Sequence, residues 1–177
     1  QIIPAATFIE AEIESPGVIL QQGSTAILEM GYLEKSQEKI LQDLKNKFDS
    51  EFLSFKISDD IFYTLWKKMI IVGAFGTIMT SFRMSFRELI DSKYGEKILS
   101  ETMKEIKKVG IAEKIKLGTV NISEIIEELR AEADEMTSSM FNDLKNGKPL
   151  EIDSILGYVV NLAKLKNIDL PYSQTLV

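Results

Sequence analysis

The 177-residue sequence contains no cysteine and no histidine. The first absence excludes disulfides and thiolate metal sites, and the second removes the side chain most used as a general base and metal ligand near neutral pH. Any catalysis must use Lys, Asp, Glu, Tyr, Ser or Thr. Basic runs are also missing: 21 Lys and Arg against 27 Asp and Glu leave a net charge of −6, spread along the chain. Nothing here can neutralise a row of phosphates, which excludes nucleic acid as an expected partner. No run alternates acidic and Gly positions like a calcium loop, and no GxGxxG, Walker loop or nucleophile elbow occurs, so no metal is expected and no nucleotide fingerprint is found. The longest stretch poor in charge, Met69 to Phe82, is about two-thirds of the ~20 residues needed to cross a bilayer, and two lysines precede it. A buried helix is expected there, with no membrane partner. The chain opens on Gln1-Ile2-Ile3-Pro4, without an initiator Met or a basic-then-apolar leader, and is expected to be a fragment of a cytoplasmic protein.

What is present divides by period. Apolar and polar residues alternate from Phe8 to Ile13, Ser15-Pro16-Gly17 makes a turn, and Val18 to Leu20 and Ala26 to Met30 continue as short strands. Ile40, Leu41, Leu44 and Phe48 predict a helix over 34–48, and Phe52 to Ile57 alternates again. Ser58-Asp59-Asp60 offers an N-cap, after which every segment has helical period. Helices are predicted at about 60–80, 84–92, Gly95 to Val109 ended by Gly110, Ser123 to Met136 with Ser123 as N-cap, 137–145, and Ile152 to Lys166 ended before Asn167 and Pro171. The first is apolar nearly all round and belongs at the centre of a domain. The expected organisation is a β-rich segment, 1–56, followed by a mainly α domain, 57–177.

Three groups of residues could carry chemistry. Lys68 shares a helix face with Val72 and Gly76, four and eight positions on, neither of them polar. Partial desolvation would bring its pKa down towards the working pH, which suits a proton donor to a developing alkoxide; the same position also suits a lysine that reaches out to solvent. Ser138-Ser139-Met140 and Glu151 flank the turn Asn146-Gly147-Lys148-Pro149 and could converge, or could serve as helix-start residues. Arg83 and Arg87 make a small cationic patch that could receive a carboxylate or a cofactor phosphate, or, with Glu88 and Asp91 beside it, form a solvated charged face.

Taken together, these segments resemble the ketopantoate reductase (2-dehydropantoate 2-reductase) family. The Pro16-Gly17 turn with its strands to Gly31, Trp66 and Lys68 in Leu65-Trp66-Lys67-Lys68-Met69, and Glu101 nine residues before Gly110 carry part of the likeness. The most specific part is Ser138-Ser139-Met140, Asp143, Glu151-Ile152-Asp153, Gly157 and Pro171. The resemblance implies a helical substrate domain of the 6-phosphogluconate dehydrogenase C-terminal-like type, preceded by the last strands of a Rossmann-type NADPH-binding domain, 1–56, whose main cofactor site lies outside this chain. It implies reduction of a small-molecule 2-keto acid by NADPH, ketopantoate to pantoate on the way to pantothenate, and a homodimer formed through the helical domain. By resemblance Lys68 is the catalytic proton donor, Ser139 a substrate ligand, and Glu151 a cofactor ligand at the ribose end or an orienting group for the lysine. The fragment alone is expected to be inactive.

One departure bears on substrate. The family places asparagines where this chain has Val72, Gly76 and, further on, Phe86. An apolar wall cannot supply those hydrogen bonds, which points to a more apolar 2-keto acid, with Val72 and Gly76 lining its pocket. The alternative is a non-catalytic helical interaction module of the same ancestry.

Overall fold

The alternation that begins at Phe8 builds a hairpin, β1 (Ala5–Ser15) and β2 (Val18–Met30), turned at Pro16-Gly17 with Gly17 at a φ of +85° that favours glycine. This is a computed structural model, describing residues 2–134 and 136–177, apart from the side chains of residues 12 and 22–25. The two short strands expected after the turn are one continuous strand, its register with β1 shifting between Phe8 and Glu10. Helix α1 (Glu38–Phe48) then crosses over to β3 (Leu53–Ile57), which pairs parallel with Ala26–Met30 and completes a three-stranded sheet in the order β1-β2-β3. Ala6, Leu41, Phe55 and Ile61 are buried in this unit, and Gly31 packs so closely that a Cβ there would sit 2.4 Å from Ile61 Cβ.

Contacts divide the chain into two compact units, Gln1–Leu65 and Trp66–Val177, and the division falls inside a helix. That helix comprises α2 (Ile61–Lys68), a π turn at Met69–Gly73 and α3 (Ala74–Phe82), and it starts with Asp60 accepting from Tyr63 N at 3.1 Å. Over Ile61–Phe82 it is long and apolar enough to cross a membrane, yet every residue from Gly73 to Thr80 is buried within the protein.

The second unit wraps short helices around that rod. They are α4 (Phe86–Asp91), α5 (Gly95–Ala112), α6 (Ile122–Ala131), α7 (Ser139–Lys145), α8 (Leu156–Leu165) and α9 (Pro171–Leu176). Ile70, Ile78, Leu99, Met103, Ile106 and Leu156 are fully enclosed and form the centre of the core, each contributing about 1.5–3 kcal/mol of burial.

Several ends differ from expectation for local reasons. Asn121, not Ser123, caps α6, its side chain accepting from Ser123 N and Glu124 N. The expected end of that helix near Met136 runs past residue 135, outside the described residues, and α6 itself stops at Ala131. Gly110 does not end α5: the helix runs to Ala112, and a Cβ at Gly110 would lie 2.8 Å from Trp66 Cε3 and 2.4 Å from Leu117 Cδ1. The helix expected from Ile152 begins at Leu156 after a turn. Pro171 opens a helix, α9, instead of following the last one.

Candidate functional site

Lys68 is the last residue of α2, half-buried, and desolvation holds its pKa below the ordinary lysine value of 10.5. The π turn follows it directly. Eight residues of plain α-helix overshoot two turns by roughly 80°, whereas a π turn takes more residues per revolution and reduces that overshoot. The π turn therefore brings position 76 back towards the line of Lys68. Gly73 closes this turn under tight packing: a Cβ would lie 2.9 Å from Met69 Sδ and 3.4 Å from Ile155 Cγ2.

Val72, one turn on from Lys68, is 38% exposed and presents an apolar surface. Gly76 is different. It is buried, and a Cβ there would stand 3.1 Å from Ser138 Oγ, so this position faces the start of α7. Ser138 is itself buried and caps α7, its Oγ accepting from Phe141 N at 3.3 Å. Ser139, the first residue of the helix, is exposed.

Glu151 is exposed as well, and its carbonyl accepts from Ile155 N and Ser154 Oγ, both at 3.0 Å. Those bonds fold the turn that delivers Ile155 to Gly73. The segments bearing Ser139 and Glu151 thus both pack on the rod that carries Lys68, at positions five and eight residues beyond it, or within about 12 Å along its axis. Ser138 and Ile155 make those contacts. Ser138 thus takes the helix-start role that the sequence left open for the Ser138-Ser139 pair.

Phe86 does not line a pocket. It is fully buried and meets Phe75 edge-on at 5.8 Å between ring centres, which places it in the apolar core. The cationic patch is neutralised at Arg87, which holds Asp134 through two bonds of 2.8 and 3.0 Å and has Asp91 at 3.7 Å; the hydrogen bond to Asp134 is the main cause of its raised pKa. Two surface depressions lie away from Lys68. One, about 650 Å³, runs along Lys104, Lys107 and Lys108 to Ser123, and the other, about 410 Å³, is lined by Arg83, Phe141, Leu144 and Lys145. Among the described residues no cluster of carboxylates could hold a metal ion.

Residues 60–177 match the family model described as ketopantoate reductase PanE/ApbA C terminal. This chain belongs to the ketopantoate reductase family. A 2-dehydropantoate 2-reductase of Pyrococcus horikoshii is 27% identical over 161 residues, covering 91% of this chain and 53% of the relative. The chain spans about half the length of the curated relatives it matches. A D-mandelate dehydrogenase solved with NADH superposes with a TM-score of 0.85 at 26% identity, covering 98% of this chain and 59% of the other. A D-mandelate dehydrogenase in a ternary structure with NADH and anilino(oxo)acetate matches at a TM-score of 0.84, at 26% identity over 96% of this chain and 56% of the other. A dimeric ketopantoate reductase of Staphylococcus aureus shares the fold at a TM-score of 0.84 and 18% identity, over 98% of this chain and 58% of that one. The chain is accordingly mainly α, with the helical C-terminal domain of ketopantoate reductases following a small sheet.

Proposed function

We propose that the whole protein is an NADPH-dependent reductase of 2-keto acids, and that this chain supplies its proton donor and substrate-side surface. The observation that carries the reading is the half-buried Lys68 at the head of a π turn, with the segments of Ser139 and Glu151 seated on the same helix. Residues 1–56 are, in this reading, the closing strands of the nucleotide-binding domain, and 57–177 the substrate and dimerisation domain. The dimeric state of the Staphylococcus relative supports a homodimer.

The cofactor, when bound, supplies a hydride to the carbonyl carbon, and charge then develops on the carbonyl oxygen. The Lys68 ammonium stands to stabilise that charge and to give up its proton to the oxygen; a lowered pKa makes this transfer easier. Ser139 offers a hydroxyl to the substrate carboxylate or ketone. Glu151, an exposed carboxylate in no ion pair among the described residues, fits a partner for ribose hydroxyls or an orienting group for the lysine.

The substrate is a 2-keto acid with an apolar body. Val72 gives an apolar surface where an amide would hydrogen-bond a hydroxyl, and a relative 26% identical is a D-mandelate dehydrogenase solved with anilino(oxo)acetate, an aryl-bearing oxo acid. The test is NADPH oxidation by the protein extended to its relatives' length, with an aryl or alkyl 2-keto acid set against ketopantoate. A higher kcat/KM for the apolar acid is expected. Turnover of neither acid would remove the reductase reading in favour of a non-catalytic helical module, and a clear preference for ketopantoate would remove only the apolar assignment.

A further inference from the structure

We infer that Gly76 is a positioning residue: its missing side chain is the seat of the Ser138 hydroxyl, and this seat sets where α7 presents Ser139. The catalytic half of this inference rests on the reductase reading; the structural half does not. Gly76 is buried, its carbonyl accepts from Thr80 Oγ1 at 2.7 Å, and a Cβ would meet Ser138 Oγ at 3.1 Å. That separation is tighter than ordinary contact, so one side must give. The rod cannot easily move, because Ala74 to Thr80 are enclosed on all sides.

Ser138 is the side that gives, and it is tied. Its Oγ holds Phe141 N at 3.3 Å, its carbonyl holds Asn142 N at 2.9 Å, and its side chain is buried. Swinging the hydroxyl away forfeits the cap, while keeping it shifts the first turn of α7. Either response moves Ser139, the next residue. The polar group that meets the substrate is therefore presented by α7, and the rod contributes the absence that lets α7 dock.

A pair of substitutions isolates this contact. Gly→Ala inside a helix ordinarily favours the folded state by up to about fivefold. Gly76→Ala should show no such gain, and the Asn142 amide in the first turn of α7 should exchange about fivefold faster. Ser138→Gly removes the obstructing hydroxyl while remaining an acceptable N-cap. In Gly76→Ala with Ser138→Gly, exchange should return to within about twofold of Ser138→Gly alone, and the helix gain should appear.

In the extended protein Gly76→Ala should raise KM for the 2-keto acid several-fold with a smaller change in kcat, and the second substitution should reverse most of it. Additive effects of the two substitutions on exchange would overturn the seat. Coupled exchange with an unmoved KM would overturn the link to the substrate. An inactive unmutated protein would instead overturn the reductase reading and leave the exchange result standing on its own.

Discussion

Glu105 is the buried charge on which the closing helix depends, and its removal should be among the most damaging single changes in the second unit. The carboxylate lies on the inward stripe of α5, 8% exposed, between Met103 and Ile106, which are fully buried. It accepts from Tyr172 N at 3.0 Å, Ser173 N at 2.7 Å and Ser173 Oγ at 2.6 Å, so it caps the first turn of α9 from another helix. Hydrogen bonds to a charged acceptor are worth about 1.5–3 kcal/mol each, and they do not add fully. Glu105→Ala would also leave a buried Ser173 N–H and hydroxyl without a partner, at about 1–3 kcal/mol for each group that water cannot reach. A total of roughly 3–5 kcal/mol follows, or about 6–20 °C in Tm for a chain of this size. Urea unfolding measures the first figure, and amide exchange at Gln174, which donates to Leu170 O, reports whether α9 opens on its own. Glu105→Gln should recover part of the loss, since one carbonyl oxygen remains to accept. A loss below about 1 kcal/mol for the alanine variant would show that α9 does not need this carboxylate.

In the extended protein, Lys68→Ala should lower kcat by about 10²–10⁴-fold while NADPH affinity, read by fluorescence titration, changes little. Equal loss in both would assign the lysine a structural role. Because burial holds the folded-state pKa of Lys68 below its unfolded value, the folded state binds fewer protons between the two. Stability should rise with pH across that interval, while activity that needs the ammonium should fall as pH passes the lowered pKa; a pH profile of kcat/KM unchanged up to the ordinary lysine range would refute this. Gly110→Ala should overpack the contact with Trp66 and Leu117 and cost about 1–3 kcal/mol, with a change in tryptophan emission; a stabilised variant would contradict it. Val72→Asn, at an exposed position, should leave Tm unchanged and shift the activity ratio towards ketopantoate; a fixed ratio would mean that Val72 does not face the substrate.

Periodicity carried the architecture a long way. The hairpin, the crossover helix and the central rod follow from alternation, a Pro-Gly turn and an apolar face, all of which are local signals. What escaped were elements held by distant partners. Helix α9 is six residues long, too short to stand on propensity, and Glu105, some 67 positions away, caps its first turn. The trace left in the sequence was a carboxylate on the apolar stripe of α5. Gly110 looked like a helix end because glycine usually serves as one, but here Trp66 needs the space.

The site shows the same division. Lys68 on a desolvated face could be read from its neighbours, whereas Val72 and Gly76 could be treated as equivalent only by counting an ideal helix. The docking of α7 separates them: Val72 stays exposed, and Gly76 is buried against Ser138. No count along one helix can show this, because the residue that covers position 76 lies 62 positions further along. If Gly76 seats Ser138 as inferred, a substitution that looks in sequence like the loss of a substrate contact acts instead on a second helix. In the proposed reductase, substrate-side polarity is accordingly to be sought at Ser139 on α7, with the rod contributing Lys68 and an apolar surface at Val72.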